Sequence, residues 1–349
     1  MPSLRESYED TLRAAEGADL LIGMHAAYAT RLVAEKTGIP WASAVHIPMG
    51  FFSAYDPPIL DFAPSASRRL RFLGSPFWRL LFWFCKRISR PMAKPWYQLR
   101  KEIGLPPTSE GNPLSDSHSP QLVLALFSRL LADRQADWPR QAIITGFPFF
   151  DVNGQEELPD AVTRFLDAGP PPIVFTLGSA VSMNPGSFYE ISAKCSKLLN
   201  ERAILVTGNG NPQLPTLPDS VIAVKYAPFS RLFPRASAIV HHGGVGTTGM
   251  AMSAGRPMLI VPNSWDQPDN AQRAVRRGIA CTVSQRHFTP DRAAVELRKL
   301  LHKPTYLTRS LEVQRQLQDE DGAKTACNAV ELLLHEVSAS DNRRHGFTG

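Results

Sequence analysis

The sequence predicts an α/β protein with parallel sheets, divided into two units. Three observations carry this. Short apolar runs rich in β-formers alternate with helical stretches along most of the chain. The length, 349 residues, suits two domains of ordinary size. Between the halves lies Gly169-Pro-Pro-Pro172, whose prolines stiffen a connector and stop any helix from running through.

The elements follow in order. A helix is expected over Leu4–Glu16, a strand over Asp19–Gly23 and a helix over Ala27–Lys36. Gly38-Ile-Pro40 reads as a turn, and Trp41–His46 as the next strand. Residues 47–118 carry many prolines and read as irregular, apart from an apolar helix over Pro76–Ser89. Strands return at Gln121–Phe127 and Ala142–Gly146. The connector, 147–172, holds an acidic patch and a short helix over Pro159–Ala168. Six strands are expected beyond it: Ile173–Leu177, Ala203–Thr207, Val221–Lys225, Ala238–His241, Met258–Val261 and Ile279–Val283. Helices fit between them. Two more helices, Tyr306–Gln318 and Ala323–Val337, lead to a polar stretch expected to be disordered. Domain limits are set at 1–150, a linker at 151–172, a second domain at 173–337 and a tail at 338–349.

Composition narrows the function. The chain is 43% hydrophobic and 20% charged, with net charge +6. That balance suits an anionic ligand such as a nucleotide diphosphate, or an acidic membrane surface. It is too mild for nucleic acid, and no nucleic-acid module is present. Cys85, Cys195, Cys281 and Cys327 form no CxxC pair, so free thiols in the cytoplasm are expected. The first ten residues are polar and acidic, unlike a signal peptide, and no apolar run is long enough to span a bilayer.

The informative stretch is His241-His-Gly-Gly-Val-Gly-Thr-Thr248, which follows a strand and opens a helix. Gly243, Gly244 and Gly246 let backbone N–H groups approach an anion closely. The helix N-terminus adds unpaired donors and a positive dipole end. Thr247 and Thr248 add hydroxyls and His242 an imidazole, making a diphosphate site that needs no metal. The alternative is a Gly-rich turn that only packs helix on strand. Further on, Pro262-Asn-Ser-Trp-Asp-Gln267 also ends a strand, where ligands of open α/β sheets sit. Asp266 and Gln267 there can bond sugar hydroxyls, or can simply cap the helix that Pro268 starts.

These motifs, with Ala254-Gly-Arg-Pro257, Asn270 and Gly278, resemble the donor signature of the UDP-sugar glycosyltransferase family, in its bacterial and fungal branch. The resemblance implies a GT-B fold: two facing Rossmann-like domains, the N-terminal one incomplete. It implies an inverting transfer of a hexosyl group from a UDP- or dTDP-sugar co-substrate to a hydroxyl of an apolar acceptor, with no cofactor and no metal. Residue by residue, it assigns the diphosphate to Ser179, His242, Gly243, Gly244, Gly246, Thr247 and Thr248. The base falls to Tyr226 and Ala227, and the sugar to Asp266 and Gln267. Met250 stands where plant members keep a ribose-binding Glu. Asp319-Glu-Asp321 spells a metal-binding DxD but lies at a helix end, so it is read as a decoy.

The family opens with a catalytic histidine that this chain does not contain. Its first strand resembles the family's fourth, which implies roughly three absent strands in the first domain. A shortened protein that binds donor but transfers sugar poorly is therefore expected. His25 and His46 follow strands and are the candidate bases in its place. The rival reading is a non-catalytic nucleotide-sugar-binding protein or subunit. A sugar-nucleotide epimerase would need carboxylates facing the donor sugar, and only Asp266 qualifies.

Residues 68–101 hold ten Lys/Arg, no acid and eight large aromatics. They read as an acceptor-pocket wall, as a peripheral membrane contact, or as aromatics packed on the sheet beneath solvated arginines.

Overall fold

The structure is a computed structural model. It describes residues 3–108, 112–115, 118–149, 156–178, 185–209, 214 and 216–345, with side chains up to 339.

Two parallel sheets form. The first contains β1 (Leu21–Met24), β2 (Trp41–Val45), β3 (Leu122–Ala125) and β4 (Ala142–Ile144), in that spatial order. Helices cover both faces, so β2 and β3 are buried throughout and read as unbroken apolar runs. On one face Leu32 and Val33 of the Tyr28–Thr37 helix pack with Leu4, Tyr8, Trp96 and Leu99. On the other, Ala42, Leu122 and Leu124 meet Ala329 and Leu333 of the last helix, Gly322–His345. β1 is an edge strand, and Ile22 and Met24 point outward from it.

The second sheet has the order β10-β9-β8-β5-β6-β7. Its strands are β5 (Ile173–Thr176), β6 (Ala203–Val206), β7 (Val221–Val224), β8 (Ala238–His241), β9 (Met258–Ile260) and β10 (Ala280–Thr282). Alternate residues serve different layers. Ile173, Phe175 and Leu177 join one core, while Val174 faces another. That second core runs without a break into the first unit, from Ile204 and Ile239 through Leu131 and Phe127 to Val45.

Three expectations need correction. Residues 47–118 are not mainly irregular: helices occupy Pro64–Leu70, Gly74–Ser89 and Lys94–Glu102. Pro64 and Pro95 sit in first turns, where proline starts a helix and breaks none. The last helix continues to His345, through most of the supposed disordered tail; residues 346–349 lie outside the described ones. That stretch is polar all round, so it offers no periodicity to read. The same helix packs on the first sheet, so a second domain of 173–337 does not describe the packing. Within the linker, Val162 and Leu166 of the Asp160–Asp167 helix are buried in the second unit's core.

The two units are tied in two places. The chain returns to the first unit at Gly322, where a Cβ would lie 2.5 Å from the Phe147 backbone. Beside it, Ser128 donates to Glu320 across 2.8 Å. The second tie is a buried ion cluster. Arg273, 3% exposed, donates to Asp269 on its own helix (2.7 Å) and to Asp56 of the first unit. Asp56 also takes Arg276 (2.9 Å) and Arg71 (2.6 Å), and Asp269 accepts the Ile59 N–H at 3.0 Å.

Burial pushes the Asp56 carboxyl up, but Arg273, Arg276 and Arg71 outweigh it and hold it well below the usual carboxylate range. A carboxyl lowered in the folded state stabilises fully above its unfolded pKa of about 4 and loses that contribution as pH falls towards the folded value. Asp56→Asn should therefore cost about 3 kcal/mol at neutral pH, because it leaves Arg273 short of a buried partner. Urea denaturation at pH 7 and pH 3 checks this. The deficit should shrink at the lower pH, and an unchanged deficit contradicts the assignment.

Candidate functional site

β5 and β8 lie side by side, and from them the chain builds outward in opposite directions. The crevice at the carboxyl ends of such a pair is where doubly wound sheets bind ligands. Thr176 and His241 end these strands in register. The loops beyond them, Leu177-Gly178 and His242–Gly244, meet at the His242 ring. A Cβ on Gly178, which has φ 64°, would lie 2.7 Å from this ring, and a Cβ on Gly244 2.5 Å from it. Neither position accepts any other residue unless the imidazole moves.

The helix Val245–Ser253 starts at once, with Gly244 as its cap residue and no side-chain cap. Its first N–H groups have no partner within the helix and point into the crevice. Gly246 and Thr247 line a cavity of about 440 Å³, together with Gly178, Gly208, Tyr226 and Met250. Thr248 belongs elsewhere: it is fully buried, and its hydroxyl donates back to the Gly244 carbonyl at 2.9 Å. Gly243, at φ 95°, turns the chain, and its carbonyl accepts from Asn270 at 3.0 Å. Ser179 lies outside the described residues.

Both histidines of the motif are neutral at pH 7. Burial pushes His242 down to about 4. His241 goes to about 3 through burial and the neighbouring His242. His241 is a structural residue, since its Nδ1 accepts the Gly243 N–H at 3.1 Å. The Nδ1 of His242 is buried and has no hydrogen-bond partner among the described residues.

At the far end of the cavity, Tyr226 stands half exposed and donates its hydroxyl to Glu156. Ala227 is 1% exposed with its methyl in the core, which leaves only its backbone for a ligand. The cavity wall also includes Asn209 and Phe229, which were not singled out from sequence. Thr207-Gly-Asn-Gly210, a turn signal directly after β6, was the available clue.

The loop 262–267 lies against the His242–Gly244 turn: a Cβ on Gly243 would lie 3.1 Å from the Gln267 carbonyl. Gln267 accepts the N–H groups of Asn263 (2.9 Å) and Ser264 (3.3 Å), so its carbonyl braces the loop and its amide N–H groups remain for a ligand. Asp266 accepts from Asn270 at 2.7 Å, and burial pushes its carboxyl up. Just before them Trp265 is left-handed at φ 60°, and its N–H donates to Asp61 of the first unit at 3.1 Å.

The first unit supplies the opposite wall. His25 and His46 lie with ring centroids 5.4 Å apart, and His46 is near enough to Asp266 for the charge to act on it. Burial lowers both histidines; the neighbouring His46 lowers His25 further, while Asp266 partly offsets the effect on His46. The DxD triplet is used structurally. Glu320 holds Ser128, and Asp321 caps the last helix through the Lys324 N–H at 2.9 Å.

Residues 191–331 match the family described as the C-terminal domain of erythromycin biosynthesis protein CIII-like proteins. The O-mycaminosyltylonolide 6-deoxyallosyltransferase of Streptomyces fradiae is 30% identical over 95% of this chain and 78% of its own length. This chain belongs to the glycosyltransferases of that family. A sterol 3-beta-glucosyltransferase of Arabidopsis thaliana is 29% identical to the enzyme over 62% of this chain and 34% of its own length. The fold is GT-B: the solved glycosyltransferase VinC in complex with dTDP superposes with a TM-score of 0.67 at 23% identity, over 94% of this chain and 75% of that one.

The packing of His242 gives a direct test. Gly244→Ala should lower affinity for a nucleoside diphosphate at least about ten-fold, or about 1.4 kcal/mol, by displacing the ring. His242→Ala should cost about 1–3 kcal/mol, the scale of a lost charge-assisted hydrogen bond. Titration calorimetry with UDP and dTDP measures both. Unchanged affinity in the two variants would remove His242 from the site.

Proposed function

We propose that the enzyme transfers a hexosyl group, with inversion, from a UDP- or dTDP-sugar to a hydroxyl of an apolar acceptor, without a metal. The observation that carries this is the crevice between β5 and β8. There the N-terminus of the Val245–Ser253 helix and Thr247 line one cavity, and the neutral His242 ring packs against Gly178 of its wall. These groups stabilise the charge that develops on a departing diphosphate, so the leaving group needs no cation. Tyr226 serves the base and the Asp266–Gln267 loop the sugar. Thr248 contributes its backbone only, because its hydroxyl is already bound.

The acceptor side of the cleft is apolar at its rim. Trp265 and Phe62, the neighbour of Asp61, are largely exposed. His46 is the proposed base. A neutral imidazole accepts the acceptor's proton, and Asp266 steadies the imidazolium that results. His25 sits behind it as the second candidate. Inversion follows from this arrangement, since the base activates the hydroxyl opposite the diphosphate. The four cysteines are free thiols, which suits a cytoplasmic enzyme.

Two experiments test it. UDP and UDP-sugar should bind equally well with EDTA or with Mg²⁺. Asp266→Ala should erase the preference for UDP-sugar over UDP while keeping UDP affinity. Strict dependence on a divalent ion would defeat the metal-free reading.

The second is a pH profile of kcat/KM. A base must be unprotonated, so activity should fall as pH drops through the pKa of His46, which lies below its ordinary value of about 6.5. His46→Ala should lower kcat by about 10²–10⁴-fold. Full activity in His46→Ala would transfer the role to His25. Binding of donor with no turnover on any acceptor would favour a nucleotide-sugar-binding protein instead.

A further inference from the structure

The Gly74–Ser89 helix is apolar on two faces. Trp78 and Phe82 turn inward and pack with Ala54, Phe77 and Leu81. Leu80, Trp83, Phe84 and Ile88 recur at i, i+3, i+4 and i+8 and turn outward, each more than half exposed. Phe72 before the helix and Met92 after it are 81% and 69% exposed. A contiguous patch of this kind on a protein surface marks an interaction site.

The charge around it has one sign. From Arg68 to Lys101 there are ten Lys/Arg and no acid. Arg87, Arg90, Lys94 and Lys101 line an open groove with Tyr97 and Gln98. None of these four cations forms an ion pair among the described residues; the acid next in sequence, Glu102, is taken by Arg5.

We propose that this face docks on an anionic phospholipid bilayer. The outward stripe enters the interface, and the basic groove receives phosphate headgroups. A bilayer supplies hydrocarbon and negative charge side by side, which is the complement of a helix with large apolar residues and only positive neighbours. The docked helix also packs on the segment that follows His46, where a Cβ on Gly50 would lie 3.8 Å from His25. Phe82 meets Phe52 edge-on at 6.0 Å, and Arg79 stacks on Tyr55 at 4.9 Å. Arg71, just before the helix, holds Asp56 at the domain tie. The acceptor therefore reaches the cleft from the membrane. This last point alone rests on the proposed transfer to an apolar hydroxyl compound; the docking does not.

The test is flotation of the chain with phosphatidylcholine vesicles, with and without phosphatidylglycerol. Binding is expected only with the acidic lipid, and weaker in high salt. Arg87→Gln and Arg90→Gln should each weaken partitioning about five-fold, the equivalent of about 1 kcal/mol per surface charge. Trp83→Glu should abolish flotation yet keep wild-type affinity for UDP, whose proposed site is in the other unit, and this shows that the variant is folded. Failure of the wild type to float, equal flotation on neutral vesicles, or flotation of Trp83→Glu would each overturn the proposal. So would a wild-type dimer that Trp83→Glu converts to monomer with no lipid dependence, since a second copy would then cover the face. Transfer to a soluble acceptor is assayed on the same samples. Its absence beside normal flotation would defeat the proposed function and leave the docking intact.

Discussion

A guanidinium withdrawn from water must find carboxylates, and Arg273 finds one from each half of the molecule. Asp269 comes from its own helix, one turn away, and Asp56 from the loop after β2. Leaving either half without the other would strand a buried charge, which costs several kcal/mol. The cluster therefore specifies how the two sheets face each other, and it works at the edge of the cleft. Asp269 also fixes the Ile59 N–H, and two residues on, Asp61 holds the left-handed Trp265. The loop that presents Asp266 and Gln267 is thus shaped from both sides.

The donor end of the cleft depends on a different constraint, steric in origin. His242 fills the space between two loops, and glycines at 178 and 244 are required for it to sit there. Burial keeps the ring uncharged, so in the proposed role it would meet an anion as a hydrogen-bond donor and through no fixed charge. The helix N-terminus beside it carries donors that cannot be titrated away.

Tyr226, Met250 and Thr247 share one cavity although the chain brings them from the loop after β7 and from the Val245–Ser253 helix. On the opposite wall, His25 and His46 end neighbouring parallel strands, and this alone puts their rings 5.4 Å apart. Pairing β1 with β2 in register converts two separate loop histidines into one cluster facing Asp266.

Much of this was legible in the chain. Alternating apolar runs and helices disclosed ten parallel strands to within about two residues at each end. The His-His-Gly-Gly-x-Gly-Thr-Thr run disclosed a glycine-rich strand-to-helix turn that opens on a cavity, because helix termini and glycine turns are local properties. Other features had no local signal. Asp56 and Arg273 are 217 residues apart, and nothing in either neighbourhood announces a buried pair. Thr248 and Gln267 carry the right groups for a ligand, but the structure commits the hydroxyl of one and the carbonyl of the other to the backbone. Proline-rich 47–118 looked irregular because a proline in a first turn and a proline in a loop read alike until the helix is seen. The sequence by itself determined the elements and the chemistry available at each strand end. The tertiary structure alone decided which groups remain unpaired at the cleft, because satisfaction of a buried polar group depends on partners distant in sequence.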